Sequence, residues 1–181
     1  MLKRIAFQGE HGSFAEEAAE EFFAGMREII ACPELSDLRA VLETEAADYA
    51  VLPVENSLIG KVQLTDDFLA LNPWREVGQL YLPIRLNLIG GQMTKLENLE
   101  TVESHPAALA QCQKFFLANP QLQKVAAENT AASARRVIES RNPSQAAIAS
   151  TKAAEIFGGK ILLSDIQDKH ENYTKFLLLR K

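Results

Sequence analysis

Three apolar, strand-like runs alternate with two helical ones at the start of the chain, and this alternation constrains the fold more than any other feature. RIAF (4–7), REIIAC (27–32) and DYAVLPV (48–54) read as strands. Between the first two, Phe14, Ala15, Ala18, Ala19, Phe22 and Phe23 recur at helical spacing with glutamates on the opposite face. Ser13 and Glu16 fit a capping box, so this helix is expected to start at Ser13. SDLRAVLETE reads as the second helix, with Ser36 as its expected cap. The β-α-β-α-β order predicts an α/β fold with mainly parallel sheets.

The alternation resumes in the second half with ETVES, PAALAQCQKFFLA, LQKVAA, TAASARRVIE, QAAIAS, TKAAEIFG and KILL. Between the halves, LTDDFLAL reads as a helix. EVGQLYLPIRLNLIGG reads as a long extended segment that Pro83 can bend, suited to cross from one lobe to another. We therefore expect one catalytic-size domain over 1–181 made of two lobes with a cleft between them. Lobe 1 is expected at about 1–75 plus 170–181, and lobe 2 at about 80–168. The terminal run FLLL has no following helix to cover it and is expected to return to the cleft.

The 181 residues carry a net charge of −5, which argues against a nucleic-acid or anionic-membrane surface. The opening MLKRIAFQGEHG has too short an apolar stretch for a leader, and no run approaches the roughly 20 apolar residues of a membrane span. A cytoplasmic location is expected. Cys32 and Cys112 are far apart and read as reduced, half-buried thiols. His11, His105 and His170 are too scattered for a zinc site, and no dinucleotide or phosphate-loop pattern occurs, so neither metal nor cofactor is expected.

Helices that start at Ser13, at Ser104–Pro106 and at Thr130 offer free N–H groups suited to carboxylates, or are plain caps. Glu55, Asn56 and Ser57 follow a buried strand, where α/β sheets place ligands; Asn-Ser is also ordinary turn chemistry. His105 before Pro106 reads either as a ligand-facing acid or as a helix-start residue held by local hydrogen bonds.

Together these pieces resemble the catalytic domain of prephenate dehydratase. The blocks that carry the resemblance are FQGEHGSFAEEAA (7–19), YAVLPVENSLIGKVQLTDDFL (49–69) and VESHPAALAQCQKF (102–115). They continue as ENTAASA (128–134), AAIASTKAAEIFGGKIL (146–162) and DIQDKHENYTKFLLL (165–179). The resemblance implies a two-lobed, periplasmic-binding-protein-like fold and a carbon–oxygen lyase that converts prephenate to phenylpyruvate for phenylalanine synthesis. It implies Thr174, Glu55 and His105 as catalytic residues. Ser13, Asn56, Ser57, Ser104, Thr130, Ala131, Asn172 and Phe176 are implied as substrate-binding, with Lys175 supporting from behind. A homodimer is also implied.

An ionised Glu55 beside a dianion would be repulsive, so its role requires burial that keeps it partly protonated. Alternation along an unbent strand puts Thr174 and Phe176 on one face and Lys175 on the other. Three positions depart from the family pattern: Ala107 in place of a Gln, LPIRLNL without a histidine, and Lys175 in place of an Arg. Most relatives continue into a regulatory ACT domain beyond the point where this sequence ends, so no phenylalanine regulatory site is expected in this chain. Two alternatives stand beside the main reading: an arogenate dehydratase, and a non-catalytic small-anion-binding module of the same fold.

Overall fold

A computed structural model describes residues 2–23, 25–71 and 74–181. In chain order the elements are β1 (Lys3–Gln8), α1 (Phe14–Phe22), β2 (Arg27–Cys32), α2 (Leu35–Glu43), β3 (Tyr49–Asn56), β4 (Gly60–Lys61), α3 (Gln63–Leu71) and β5 (Arg75–Pro83). There follow β6 (Asn87–Gly90), β7 (Thr101–Ser104), α4 (Pro106–Ala110), α5 (Gln113–Ala118), β8 (Gln123–Ala126) and α6 (Thr130–Ser140). The last are β9 (Gln145–Ala149), α7 (Thr151–Phe157), β10 (Lys160–Leu163) and β11 (Tyr173–Arg180). Two compact units result. The first comprises Met1–Glu10, Phe14–Ile84 and Glu171–Lys181; the second comprises His11–Ser13 and Arg85–His170.

The first unit is built on the sheet β2-β1-β3-β11-β5, with β4 hairpinned onto β3. β1 pairs in parallel with β2 and β3, as the opening alternation requires. β11 then enters antiparallel between β3 and β5, so the sheet is mixed rather than mainly parallel. A strand in that central position is covered on both faces and needs apolar residues at every step. Phe176, Leu177, Leu178 and Leu179 supply them, and all four are buried. Leu177 and Leu179 join Leu38, Leu42, Ala50, Leu52 and Val54 in a core cluster under α2.

Two expectations are corrected here. The whole of β5 pairs with β11, from Arg75↔Arg180 to Pro83↔Tyr173, so the first unit runs to Ile84 and not to about 75. Helix α2 starts two residues earlier than a Ser36 cap would place it. Leu35 is already helical, and the backbone N–H of Glu34 is met by Asp37 Oδ2 at 3.1 Å.

The second unit has its own mixed sheet, β10-β6-β9-β7-β8. β7 pairs in parallel with β8 and β9, while β6 is antiparallel to both β9 and β10. Helix α6 turns Ala131, Ala132, Ala134 and Val137 inward, and the sheet beneath Ala134 and Val137 presents Ala147 and Ala149. Small residues on both surfaces let helix and sheet approach closely. The expected single helix over 106–118 is two helices. The Asp168 carboxylate accepts the N–H groups of Gln113 and Lys114 at 3.0 and 2.9 Å, and the Asp168 N–H donates to Gln111 O at 2.7 Å. A distant aspartate therefore starts α5 afresh.

Both cysteines are free and fully buried, not half-buried: Cys32 lies in the first unit and Cys112 in the second. Burial, with a smaller push from Asp37, raises the Cys32 thiol to about 11. Burial, with a smaller push from Asp168, raises Cys112 to about 12. Thiolate is the reactive form. A disulfide exchange reagent at pH 8 is thus expected to leave both thiols unreacted in the native chain and to titrate both in denaturant. Rapid native reaction of either would contradict this burial.

Candidate active site

The side chains of Asn56, Asn172 and Thr174 meet within the first unit, at the end of β3 and the start of β11. Asn56 Nδ2 donates to Asn172 Oδ1 at 2.8 Å, to Thr174 Oγ1 at 3.0 Å and to the Tyr173 carbonyl at 3.2 Å. Its Oδ1 accepts the N–H groups of Leu58 and Ile59 at 3.0 and 3.2 Å. Backbone N–H groups can only donate, so they fix which end of the amide is oxygen. The NH2 end is thereby committed to Asn172 and Thr174. Next to this cluster, Ser57 Oγ accepts the Tyr173 N–H at 3.0 Å, and the Ser57 N–H donates to Tyr173 O at 2.9 Å. The strand that carries Thr174 is thus pinned on both sides of Tyr173.

A β-bulge sets this geometry. Thr174 pairs with Asn56 and Lys175 with Glu55, but Phe176 pairs with Pro53, which leaves Val54 as an extra residue on β3. Leu52 and Val54 both lie in the core cluster with Leu177. Simple alternation would put Asn56 on that same face, away from Thr174. The bulge moves Asn56 to the opposite face, where it reaches the Thr174 hydroxyl.

The same register places the neighbouring residues. Lys61, Glu55, Lys175 and Tyr81 are cross-strand partners in a row on the face away from Thr174. Glu55 is exposed there. The burial that its proposed role requires is missing, and its side chain does not share a face with the hydroxyl it would assist. Lys175 is half-buried in the same row and points away from Thr174. Lys175→Arg is therefore expected to change kcat/KM by less than about tenfold, or roughly 1.4 kcal/mol. Steady-state kinetics of the two proteins would check this; a larger gain would mean that position 175 touches substrate.

Other expected site residues have structural employment. Phe176 is 2% exposed and belongs to the core. Asn172 is fully buried and meets Asn56 directly. In the second unit Ser104 is fully buried, and its hydroxyl donates to Ile148 O at 2.6 Å, tying β7 to β9. His105 is the N-cap of α4: its Nδ1 accepts the Ala107 N–H at 3.2 Å, the local bond of a helix-start residue.

Helix α6 is capped by Asn129, one residue before the expected Thr130, through Oδ1 accepting the Ala132 N–H at 2.7 Å. Thr130 and Ala131 are its first two residues, whose N–H groups lie outside the helix's own ladder. The Ala131 side chain is buried, so the backbone is what this residue has to offer. Ser13 is half-buried directly before α1. Its neighbour Gly12 is held by Ser150, whose hydroxyl donates to Gly12 O at 2.7 Å. Gly12 has φ +84°, and a Cβ there would lie 2.9 Å from the Ala153 Cα, so only glycine fits. Ser150 is not among the expected residues; a serine before TKAAEIF is an N-cap signal, and that is its second role here.

The family model described as prephenate dehydratase matches residues 5–181. The chain belongs to the prephenate dehydratase family. It is 38% identical over 176 residues to a bifunctional chorismate mutase/prephenate dehydratase of Neisseria gonorrhoeae, covering 97% of this chain and 49% of that protein. It is 37% identical over 178 residues to arogenate dehydratase/prephenate dehydratase 2 of Arabidopsis thaliana, covering 98% and 46%. The chain therefore spans about half the length of these curated relatives.

Among solved structures, a prephenate dehydratase from Arthrobacter aurescens in complex with L-Phe superposes with TM-score 0.88 at 29% identity, covering 98% of this chain and 64% of that one. GqqA, described as a quorum-quenching acylase, superposes with TM-score 0.90 at 28% identity, covering 99% and 64%. The methionine-binding protein MetQ, at TM-score 0.51 and 12% identity over 99% of this chain and 83% of its own, shares the fold alone. The prephenate dehydratase fold of this chain is accordingly periplasmic-binding-protein-like, with one mixed α/β sheet in each unit. Among the described residues no helix is long and apolar enough to cross a membrane.

Proposed function

We propose that this chain converts prephenate to phenylpyruvate, with the Thr174 hydroxyl meeting the departing ring hydroxyl. The observation that carries the reading is the 3.0 Å bond from Asn56 Nδ2 to Thr174 Oγ1. A threonine hydroxyl has one proton and two acceptor sites. With Asn56 donating into one acceptor site, the proton is left to a partner outside the network, which is what a departing oxygen needs.

The chemistry asks little more of the protein. The bond from the ring to its carboxylate breaks, CO2 leaves, and the electron pair enters the ring. The carbon–hydroxyl bond breaks, and hydroxide leaves as water after taking one proton. Aromatisation drives both steps. Thr174 is too weak an acid to carry the proton alone, so its role is a hydrogen bond that strengthens as charge grows on the leaving oxygen; the net proton comes from solvent. Exposed Glu55 and the helix-capping His105 are the weaker assignments for that proton. Ser13, Thr130 and Ala131 retain the carboxylate-binding roles that helix-start N–H groups suit.

The test is turnover of purified chain with prephenate and, separately, with arogenate, the substrate that comes first in the name of the Arabidopsis relative. Phenylpyruvate from prephenate, at the higher kcat/KM of the two, is expected. Preference for arogenate would reassign the substrate. Turnover of neither by folded protein would overturn the reading and favour a binding module.

A further inference from the structure

Asn87 is a polar residue where the second unit's sheet would suit an apolar one. It opens β6, pairs with Ala149 of β9 and is only 2% exposed, with Leu88 and Ile89 buried after it. A buried amide costs free energy unless its hydrogen bonds are met. Asn87 Oδ1 accepts the Asp165 N–H at 3.2 Å, and Nδ2 donates to Thr151 Oγ1 at 3.1 Å. The backbone donor fixes the oxygen end, so the NH2 end is committed to Thr151. The segment that carries Asp165 is itself anchored. The Ile166 N–H donates to Leu86 O at 2.8 Å, Gln167 Oε1 accepts the Leu86 N–H at 2.9 Å, and the Asp165 carboxylate lies 3.7 Å from the Arg85 guanidinium.

Thr151 is exposed, and water alone satisfies an exposed hydroxyl. What a buried amide adds is direction. With Asn87 donating into one acceptor site, the Thr151 proton is left to a partner outside the pair. Thr151 directly follows Ser150, whose hydroxyl donates to Gly12 O at 2.7 Å. Gly12 lies against the same turn, since a Cβ on it would stand 2.9 Å from the Ala153 Cα. The bond from Ser150 to Gly12 thus brings the segment of Ser13 to that of Thr151, all within the second unit. It is the oriented hydroxyl, and not the N–H groups of the short helix α7, that makes Thr151 a donor.

We infer that Thr151, its hydroxyl oriented by Asn87, is a further binding residue for the carboxylate that prephenate keeps in its product. This role rests on the prephenate reading above and adds to that of Ser13. The chemistry chooses between the two carboxylates. The ring carboxylate loses its charge as CO2 departs, so a donor held on it would favour bound substrate over transition state. The side-chain carboxylate keeps its charge throughout, and a donor there strengthens binding without opposing the reaction.

Thr151→Val is expected to raise KM for prephenate about tenfold, as the loss of a hydrogen bond to a charged group would, and to leave kcat within about threefold. Thr151→Ser keeps the hydroxyl and should match the wild type in both. Phenylpyruvate carries the retained carboxylate alone, so calorimetry of its binding should show a loss of the same size in Thr151→Val. Asn87→Asp would turn the Thr151 proton inward and should raise KM at least as far. Added to Thr151→Val, it should cost less than it does in the wild type. Unchanged circular dichroism shows that the variants fold. A Thr151→Val protein with normal KM, a loss confined to kcat, or unaltered phenylpyruvate binding would each overturn the inference. Equal costs of Asn87→Asp in the two backgrounds would overturn the part given to Asn87. Failure of the prephenate reading looks different. A wild type that binds phenylpyruvate but turns over no prephenate would sink that reading and leave Thr151 to be decided by the calorimetric loss alone. A wild type that neither binds phenylpyruvate nor turns over prephenate would overturn both.

Discussion

Thr174→Val is expected to lower kcat for prephenate by roughly a hundredfold or more, in line with the loss of a donor to a leaving group. Valine keeps the branched shape in a position that is only 9% exposed. It also leaves two of the three acceptors of Asn56 Nδ2 in place, Asn172 Oδ1 and Tyr173 O. The loss of stability should therefore be about 1 kcal/mol, the net worth of one hydrogen bond. Urea unfolding and steady-state kinetics on the same preparation separate the two effects. A folded variant with near-normal kcat would remove Thr174 from the reaction.

Asn56→Asp is expected to be at least as damaging, by another route. The new carboxylate keeps the shape of the amide, and one oxygen can still accept from Leu58 and Ile59. The other oxygen faces three acceptors where an NH2 group stood. Thr174 can then satisfy it only by turning its own proton inward, which removes that proton from the departing oxygen. The added negative charge also opposes a dianionic substrate. A loss of at least about a hundredfold in kcat, some 2.7 kcal/mol, is expected near pH 8. Burial and the ring of acceptors both favour the neutral acid, so the introduced carboxyl should titrate above the ordinary range. Once protonated, that carboxyl can donate to Thr174 again. The deficit relative to wild type should therefore shrink as pH falls through the raised value, and a ratio independent of pH would contradict the argument.

Much of the fold is legible because burial writes itself into the sequence. The first three strands and two helices follow from the period of their apolar residues. The unbroken FLLL run follows from a strand covered on both faces. What is not legible depends on residues that meet only after folding. Asp168 breaks the 106–118 helix from more than 50 positions away. The antiparallel entry of β11 makes the sheets mixed, which no local period can reveal.

The site divides in the same way. Sequence alone presents Asn56, Asn172 and Thr174 as three separate contacts to substrate, yet they bond to one another across 116 and 118 positions. The catalytic role that the resemblance implies for Glu55 needs burial. The bulge at Val54 leaves it exposed beside two lysines instead, and a bulge is a property of the strand pair and not of either strand. Ser104 and Phe176 carry no mark in sequence that separates a core role from a contact role.

The central claim is that Asn56 acts through Thr174, and a double-mutant cycle on turnover of prephenate tests it most directly. Wild type, Thr174→Val, Asn56→Asp and the double variant are compared by kcat at one pH near 8. If the amide works by holding the hydroxyl, removing the hydroxyl leaves it little further to do. The double variant should then lose no more than about what the worse single variant loses, a strong non-additivity between contacting residues. Losses that multiply in the double variant, or a wild type that does not turn prephenate over, would contradict the account.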